Sequence, residues 1–484
     1  MTPVRSILRP GPVVTDTDWP SGDLEAIHVI CIGGAGMSAV ARLALERGLR
    51  VSGSDAQEGQ FLPPLRDQGA RIRIGFDAAQ LPADANVVVV STAVRADNPE
   101  VLAARERGIP IVHRATALAG LLGPHDLIAV AGTHGKTSTS GMAATALRGA
   151  GEDPAWAVGA ALPDLGRNAG LGSGASAVVE ADESDGSFLA FAPQVVIVTN
   201  LEPDHLDFHG TAENLTAAFD ALVDRILPGG VLVVCADDEG AAALGRRAAD
   251  RGVTVRSYGA LGGSDWRVLA EAGSPHGTRV RLDGPAGEIE TTLAVSGHHN
   301  VLNVLGALAA AHALRPQAAL ADLADGVAGF HGASRRFDLA GVIRGVAVYD
   351  DYAHHPREVA ATLAAARGIL EPDGRVIAVF QPHLYSRTRQ FAADFAEALA
   401  AADDAFVLPV YGAREDPDPT VTARTVTDLA PHGSSVTPLE DRAAVPGIIR
   451  EIARPGDVVM LLGAGDIVQL TPDVLTALQD DDHR

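Results

Sequence analysis

Short apolar runs alternate with alanine-rich stretches of helical spacing along nearly the whole chain. Runs over 27–32, 127–131, 177–180, 195–199, 231–236, 346–350, 375–380, 405–409 and 457–462 are apolar almost throughout and rich in valine. That is the pattern of strands buried on both faces, so the alternation predicts α/β architecture with largely parallel sheets. Three segments follow. The first covers 1–123 and repeats strand–helix units. The second covers 124–331, opening after Gly123-Pro124 with a strand that runs into a glycine-rich loop. A polar, glycine-rich stretch at 258–290 within it predicts a short antiparallel excursion. The third covers 332–484, and helices are expected at 139–150 and 301–314.

A length of 484 residues agrees with several domains. No apolar run reaches the length of about 18 residues that a membrane helix needs. The stretch 1–20 mixes prolines with scattered charges and lacks the apolar core of a signal peptide, so it reads as a disordered lead-in. The tip Asp480–Asp482 is acidic. Cys31 and Cys235, the only cysteines, both fall in apolar strand-like runs and read as buried free thiols of a reducing cytoplasm. A net charge of −23 opposes nucleic-acid binding. Any phosphate must therefore be held by local devices. Lys136 is the only lysine, while arginine is used everywhere else. A compact ammonium is evidently required there, where a planar guanidinium would not serve.

Lys136 lies in G-T-H-G-K-T-S at 132–138, between an expected strand and an expected helix. That context makes a phosphate-binding loop. Gly132, Thr133, His134, Gly135, Lys136, Thr137 and Ser138 would present backbone N–H groups, an ammonium and a magnesium-binding hydroxyl to a nucleotide. The usual first glycine is replaced by Val130, so the loop is a shortened variant. A second loop follows the first strand and fits G-x-G-x-x-A at Gly34, Gly36 and Ala39, with Asp55 ending the next strand. It indicates a diphosphate near a helix N-terminus without saying whose. Glu180 ends a strand where a magnesium ligand would sit, and His205 comes off the next strand end beside acids. Asp182, Glu183 and Asp185 read equally well as solvated loop acids. Asn300 and His299 either cap the helix that follows or face a nucleotide. Arg335-Arg336, D-D-Y-A-H-H-P at 350–356 and Q-P-H-L-Y-S-R-T-R at 381–389 gather histidine, aspartate and arginine at strand ends, as a substrate site does. For Arg387 and Arg389, a surface ion-pair network is the alternative.

Together and in this order these motifs resemble the Mur ligases. They are joined by E-A-D-E-S-D-G-S-F at 180–188, T-N-L-E-P-D-H-L-D at 199–207, G-H-H-N-V-L-N at 297–303 and L-G-A-G-D-I at 462–467. The likeness spans nearly the whole chain. It implies a Rossmann-like N-terminal domain for a UDP-sugar, a central P-loop ATPase domain with a mostly parallel sheet, and a Rossmann-like C-terminal domain for the incoming amino acid. Within the family, E-S-D-G-S-F is similar to members that add L-alanine to UDP-N-acetylmuramate, a cytoplasmic step of peptidoglycan precursor synthesis. The resemblance implies ATP as co-substrate, Mg²⁺ (or Mn²⁺) as cofactor, no membrane insertion, and a monomer or homodimer.

By resemblance, Lys136, Asp351 and His354 would be catalytic, and Thr137, Glu180 and His205 would approach the metal. Residues 132–138 with His299, Asn300 and Arg336 would bind ATP. Gly34, Ala35, Gly36, Met37, Ser38 and Asp55 would take the UDP-sugar, and Tyr352, His383, Arg387 and Arg389 the amino acid. Two departures stand out. Leu384 replaces an arginine that often follows the Q-P-H histidine. The carbamylated lysine some relatives use as a metal ligand has no counterpart, since Lys136 belongs to the loop. Other readings remain: a ligase adding a peptide or another amino acid, a dehydrogenase on the first loop, or a non-catalytic nucleotide switch.

Overall fold

The structure, a computed structural model, describes residues 18–20, 24–274, 277–285, 287–413 and 415–479. The lead-in before Asp18 and the acidic tip Asp480–Asp482 lie outside the described residues. Among the described residues there are three sheets, of five, ten and six strands. The architecture is three-domain α/β, as the alternation predicts.

The first sheet runs Arg71–Ile74, Arg50–Asp55, Ala26–Ile30, Val87–Val90, Ile111–His113, all parallel. Every residue of Ala26–Ile30 and Val87–Val90 is buried, as parallel strands covered on both faces require. His28 is tolerated inside because Ser52 and Glu100 lie 2.9 and 3.2 Å from its ring nitrogens. The first strand stops at Ile30. Cys31 turns the chain with φ +60, so it is a half-buried turn residue and not the strand residue expected.

In the ten-stranded sheet the order through the middle is Val231–Cys235, Val195–Val198, Asp126–Ala131, Ser176–Glu180, Ala155–Leu162, all parallel. Strands Trp266–Ser274, Gly277–Gly284 and Gly287–Leu293 extend one edge. Their short connections permit only antiparallel pairing, so the excursion expected at 258–290 is present. The third sheet places Val346–Asp351 beside Val458–Leu462, followed by Val376–Phe380 and Asp404–Val407, all parallel.

The chain divides into two compact units. One holds the chain up to Ala270 with 280–291 and 302–331; the other holds Glu271–Arg279, Thr292–Val301 and the chain from Gly332. In the first unit a single core runs from Val29, Val40 and Leu43 to Ala129, Val179 and Phe219, which welds the first two sheets together. In the second, alternate strand residues feed opposite faces: Ala378, Phe380 and Met460 one core, Ile377, Val379 and Val459 the other. No helix among the described residues is long and apolar enough to cross a membrane.

Candidate functional site

In the first unit, strand Asp126–Ala131 delivers the chain to the 132–138 loop, and the helix begins at once, Lys136–Gly149. It starts three residues before the expected 139 because Gly135, left-handed at φ +81, acts as its N-cap and leaves the first amides unclaimed by any capping side chain. Gly132 (φ +131) is required twice over, by its backbone and because a Cβ there would overlap the Thr199 hydroxyl. The loop is clasped by the turn after strand Val195–Val198. Asn200 accepts from the His134 N–H (2.7 Å) and donates to its carbonyl (3.2 Å), and the Glu202 N–H donates to Thr133 Oγ1 (3.0 Å). Asn200 is not among the site residues that the motifs single out. Its signal was its place at a strand end facing the loop.

Lys136 folds back over this loop. Its Nζ donates to the carbonyls of Gly132 (2.8 Å) and Thr133 (3.2 Å) and pairs with Glu183 at 2.8 Å. Burial works against the ammonium, but Glu183, Asp182 and Glu180 outweigh it and push the amine up to about 12. Glu183 is pushed up to about 7, chiefly by burial, against the pull of Lys136. The solvated reading of the acids is overturned: Glu183 and Asp185 are buried, and the half-buried Asp182 meets Arg114 at 2.6 Å. Arg114, Lys136 and His205 hold Asp182 well below the usual carboxylate range despite burial. Acids this close to a half-buried lysine and arginine are compensated, and that is what lets them leave water.

The expected metal-side residues have definite neighbours. Glu180 Oε2 accepts from the Gly159 N–H at 2.6 Å, and Thr137 is buried in the first helical turn. His205, left-handed at φ +53, has Nε2 3.7 Å from Glu183 and 3.5 Å from Asp204. The Glu180 carboxylate and Thr137 hydroxyl supply the oxygen ligands a hard cation prefers, and the His205 imidazole, a borderline nitrogen ligand, suits manganese better than magnesium. Among the described residues no three His, Cys, Asp or Glu side chains form a metal cage. An ion here would complete its shell with phosphate and water oxygens, as magnesium does.

The first glycine loop is built differently. Helix Ala35–Glu46 starts after Gly34 with no side-chain cap, and Asp55 Oδ2 accepts from the Gly33 N–H at 2.8 Å. Met37 is buried in the core. The Ser38 hydroxyl, fully buried, donates to the Ala35 carbonyl (2.8 Å) and accepts from Asn168 (3.0 Å). Side chains expected to face a ligand thus brace the loop, leaving backbone as its exposed surface.

The second unit gathers another cluster. Asp351 is buried, with its oxygens accepting from the N–H groups of Phe337 and Ala353, each at 2.7 Å. Burial dominates and pushes it up to about 6. Tyr352 lies under two guanidiniums, Arg335 and Arg336 both 5.0 Å from its ring centre. His354 Nδ1 donates to the Tyr352 carbonyl at 3.0 Å, which leaves Nε2 as the lone-pair nitrogen. Burial brings its pKa down to about 3. His383 stands 5.8 Å from the His354 ring and stacks on Tyr411. Arg387 is buried, while Arg389 is exposed and bound to Asp418 and Thr420. The two arginines expected to act together therefore part, and Arg389 takes the surface ion-pair alternative. Leu384, the departure from the family pattern, is buried with φ +69 and heads the helix that carries Arg387. The helix expected to start at 301 begins at His298 (His298–Leu314). Asn300 and His299 therefore sit in its first turn instead of capping it, and the Asn300 amide donates to the Ser296 carbonyl at 2.8 Å.

Three family models match in sequence along the chain: the Mur ligase family catalytic domain over 26–125, the Mur ligase middle domain over 130–311, and the Mur ligase glutamate ligase domain over 335–465. The chain is 49% identical to a UDP-N-acetylmuramate–L-alanine ligase of a Mycobacterium species (strain JLS), covering 94% of this chain and 96% of the relative. It is 51% identical to one from Kineococcus radiotolerans, over 94% and 97%. Among solved structures, a UDP-N-acetylmuramate–alanine ligase from Thermotoga maritima matches with TM-score 0.79 and 29% identity over 94% of this chain and 99% of that one. A murein peptide ligase from Psychrobacter arcticus shares the fold with TM-score 0.71 and 24% identity over 95% and 100%.

Proposed function

We infer function from kinship and chemistry together: the chain belongs to the Mur ligase family, and it joins L-alanine to the lactyl carboxylate of UDP-N-acetylmuramate with ATP. The observation that carries the ATP half is Lys136, the chain's only lysine. Its ammonium is held at an uncapped helix N-terminus by an acid that an arriving phosphate can replace.

A carboxylate resists amines because oxide is a poor leaving group. Transfer of the γ-phosphoryl of ATP to a carboxylate oxygen gives an acyl phosphate and ADP. The alanine amine then adds to the acyl carbon, inorganic phosphate leaves with the C–O bond electrons, and an amide remains. Lys136 and the loop amides stabilise the charge spread over the transferring group. Asp351 or His354 takes the amine proton. Burial lifts the Asp351 carboxyl to about 6, close to the working pH. The His354 Nε2 lone pair is available because Nδ1 is committed to a carbonyl, although burial makes that imidazole the weaker base. Asp351, whose oxygens accept two backbone amides, holds the segment that carries Tyr352 and His354. Thr137, Glu180 and His205 would hold Mg²⁺, or Mn²⁺, which when bound would neutralise phosphate charge. Both ATP and UDP-sugars are cytoplasmic metabolites, so the cytoplasm is the place of action.

Phosphate release from ATP and magnesium tests this, run with UDP-N-acetylmuramate and a panel of amino acids plus a short peptide. Release that depends on UDP-N-acetylmuramate and is fastest with L-alanine is expected. Release favouring the peptide would shift the substrate, and release without any UDP-sugar would replace the ligase with a nucleotide switch.

A further inference from the structure

Arg114 belongs to no motif, yet it lies between the two glycine loops. It opens the helix Arg114–Leu122 directly after the edge strand of the first sheet. On one side it abuts the first loop: a Cβ built on Gly36 would stand 3.1 Å from Nη1 and 3.2 Å from Cδ. On the other, Nη2 meets Asp182 at 2.6 Å and Asp185 at 3.7 Å. Asp185 is itself held by His113 (3.4 Å) and by the Thr92 hydroxyl (3.3 Å). Asp182 is one peptide bond from Glu183, the acid that grips Lys136 at 2.8 Å. A continuous chain of charges therefore runs from the first loop through Arg114 and the acidic segment to the ATP loop.

We propose that Arg114 is a binding residue for the diphosphate of the first loop and, through Asp182, couples the two nucleotide sites. With Nη2 anchored on Asp182, it turns its remaining N–H groups to the diphosphate held by the first loop. The first loop needs such a partner, because it contains no cation of its own and the chain carries a net charge of −23. A guanidinium can do both at once, since its fork presents five donors in a fixed plane. When a diphosphate takes a share of Arg114, Asp182 loses part of its compensation and draws more on its other cationic neighbours, Lys136 before His205. The grip of Glu183 on that ammonium then loosens, and ATP finds the lysine easier to recruit. Occupancy of the first loop thus favours ATP binding, and linkage makes the effect reciprocal.

The proposal rests on the reading that the first loop binds the UDP-sugar, and the test separates the two. Calorimetry measures UDP-N-acetylmuramate and a non-hydrolysable ATP analogue, each alone and in the presence of the other. Wild type, Arg114→Gln and Asp182→Asn are compared, with Arg114→Lys as a variant that keeps the charge but not the fork. Wild type is expected to bind the analogue on the order of fivefold more tightly when the sugar nucleotide is present. Arg114→Gln should weaken the sugar nucleotide by about tenfold or more and lose the linkage, with binding of the analogue alone little changed. Asp182→Asn should keep most sugar-nucleotide affinity but lose the linkage, and Arg114→Lys should retain only part of it. A merely structural arginine would weaken both ligands together and leave the linkage in whatever remains. Absence of linkage in wild type, or its survival in Asp182→Asn, overturns the coupling alone. Failure of wild type to bind UDP-N-acetylmuramate at all overturns the functional reading and the coupling with it.

Discussion

The two glycine loops occupy equivalent places, each between a parallel strand and the N-terminus of a long helix, yet they solve phosphate binding in opposite ways. The 132–138 loop carries its own cation and restrains it: Lys136 is paired with Glu183 and bonded to two loop carbonyls. The 33–38 loop carries none. Its acid, Asp55, is spent on the Gly33 amide, its serine and methionine are buried, and the nearby guanidinium comes from Arg114, far along the chain. A loop that must stabilise a transferring phosphoryl gains from an ammonium of its own, held in place until phosphate replaces Glu183. A loop that only holds a diphosphate needs rigid backbone donors and a cation fixed elsewhere.

The comparison breaks most visibly at Lys136. Lys136→Arg keeps the charge, but the broad guanidinium cannot fit where the ammonium meets Gly132, Thr133 and Glu183 within 3.2 Å. Phosphate release at saturating ATP should fall by on the order of a hundredfold or more. Turnover like that of wild type would show that the second loop does not depend on a compact cation.

Next in size is the corresponding insult to the first loop. Gly36→Val places its Cβ 3.1 Å from Arg114 Nη1 and adds two methyl groups on the backbone face proposed for the diphosphate. Affinity for UDP-N-acetylmuramate should drop by about a hundredfold, the value of two strong charge-assisted contacts, while ATP binding stays near normal. If calorimetry instead shows NAD bound by wild type and lost in the variant, the first loop belongs to a dehydrogenase.

Smaller still should be the metal-side changes. Glu180→Gln and His205→Ala each remove one proposed ligand from an ion that phosphate and water also hold. The magnesium concentration for half-maximal rate should rise by about tenfold in each, with unfolding curves unchanged. Magnesium titrations that overlay wild type would make both residues structural.

What the sequence made legible was local. Both loops, the strands before them and the α/β class followed from short-range pattern, because a strand, a glycine turn and a helix start lie within a dozen residues. What it hid was direction and distance. Asp182, Glu183 and Asp185 were indistinguishable from solvated acids, because their partners Arg114, Lys136 and His113 come from other elements. Nothing around Arg114 marks it. One miss was avoidable: Arg387 and Arg389, two apart on a helix, cannot share a face, and the structure buries one and exposes the other. The helix at His298–Leu314 began early because histidines and an asparagine weaken the helical signal without preventing a first turn.

The subtlest contrast between the loops concerns the acid in each, and Asp55→Asn addresses it. In a dinucleotide-binding loop an acid at this position would bond a ribose hydroxyl, and its loss would cost affinity outright. Here Asp55 Oδ2 accepts from the Gly33 N–H at 2.8 Å, and Oδ1 faces the Gln57 N–H at 3.4 Å. Asparagine keeps one acceptor oxygen, so the Gly33 bond survives as a neutral one, weaker by roughly half. Against that loss stands a gain, because a negative charge is removed from beside a diphosphate. Across a wet, partly exposed loop the repulsion relieved is of the order of 1 kcal/mol, close to the bond strength given up. The two effects nearly cancel, and affinity for UDP-N-acetylmuramate should stay within about threefold of wild type. The salt dependence of binding should also flatten, since less screening is needed once the carboxylate is gone. A loss beyond tenfold in calorimetry would mean that Asp55 touches the ligand directly. The first loop would then hold its substrate by a side chain after all, and its contrast with the second, as a loop of bare backbone, would fail.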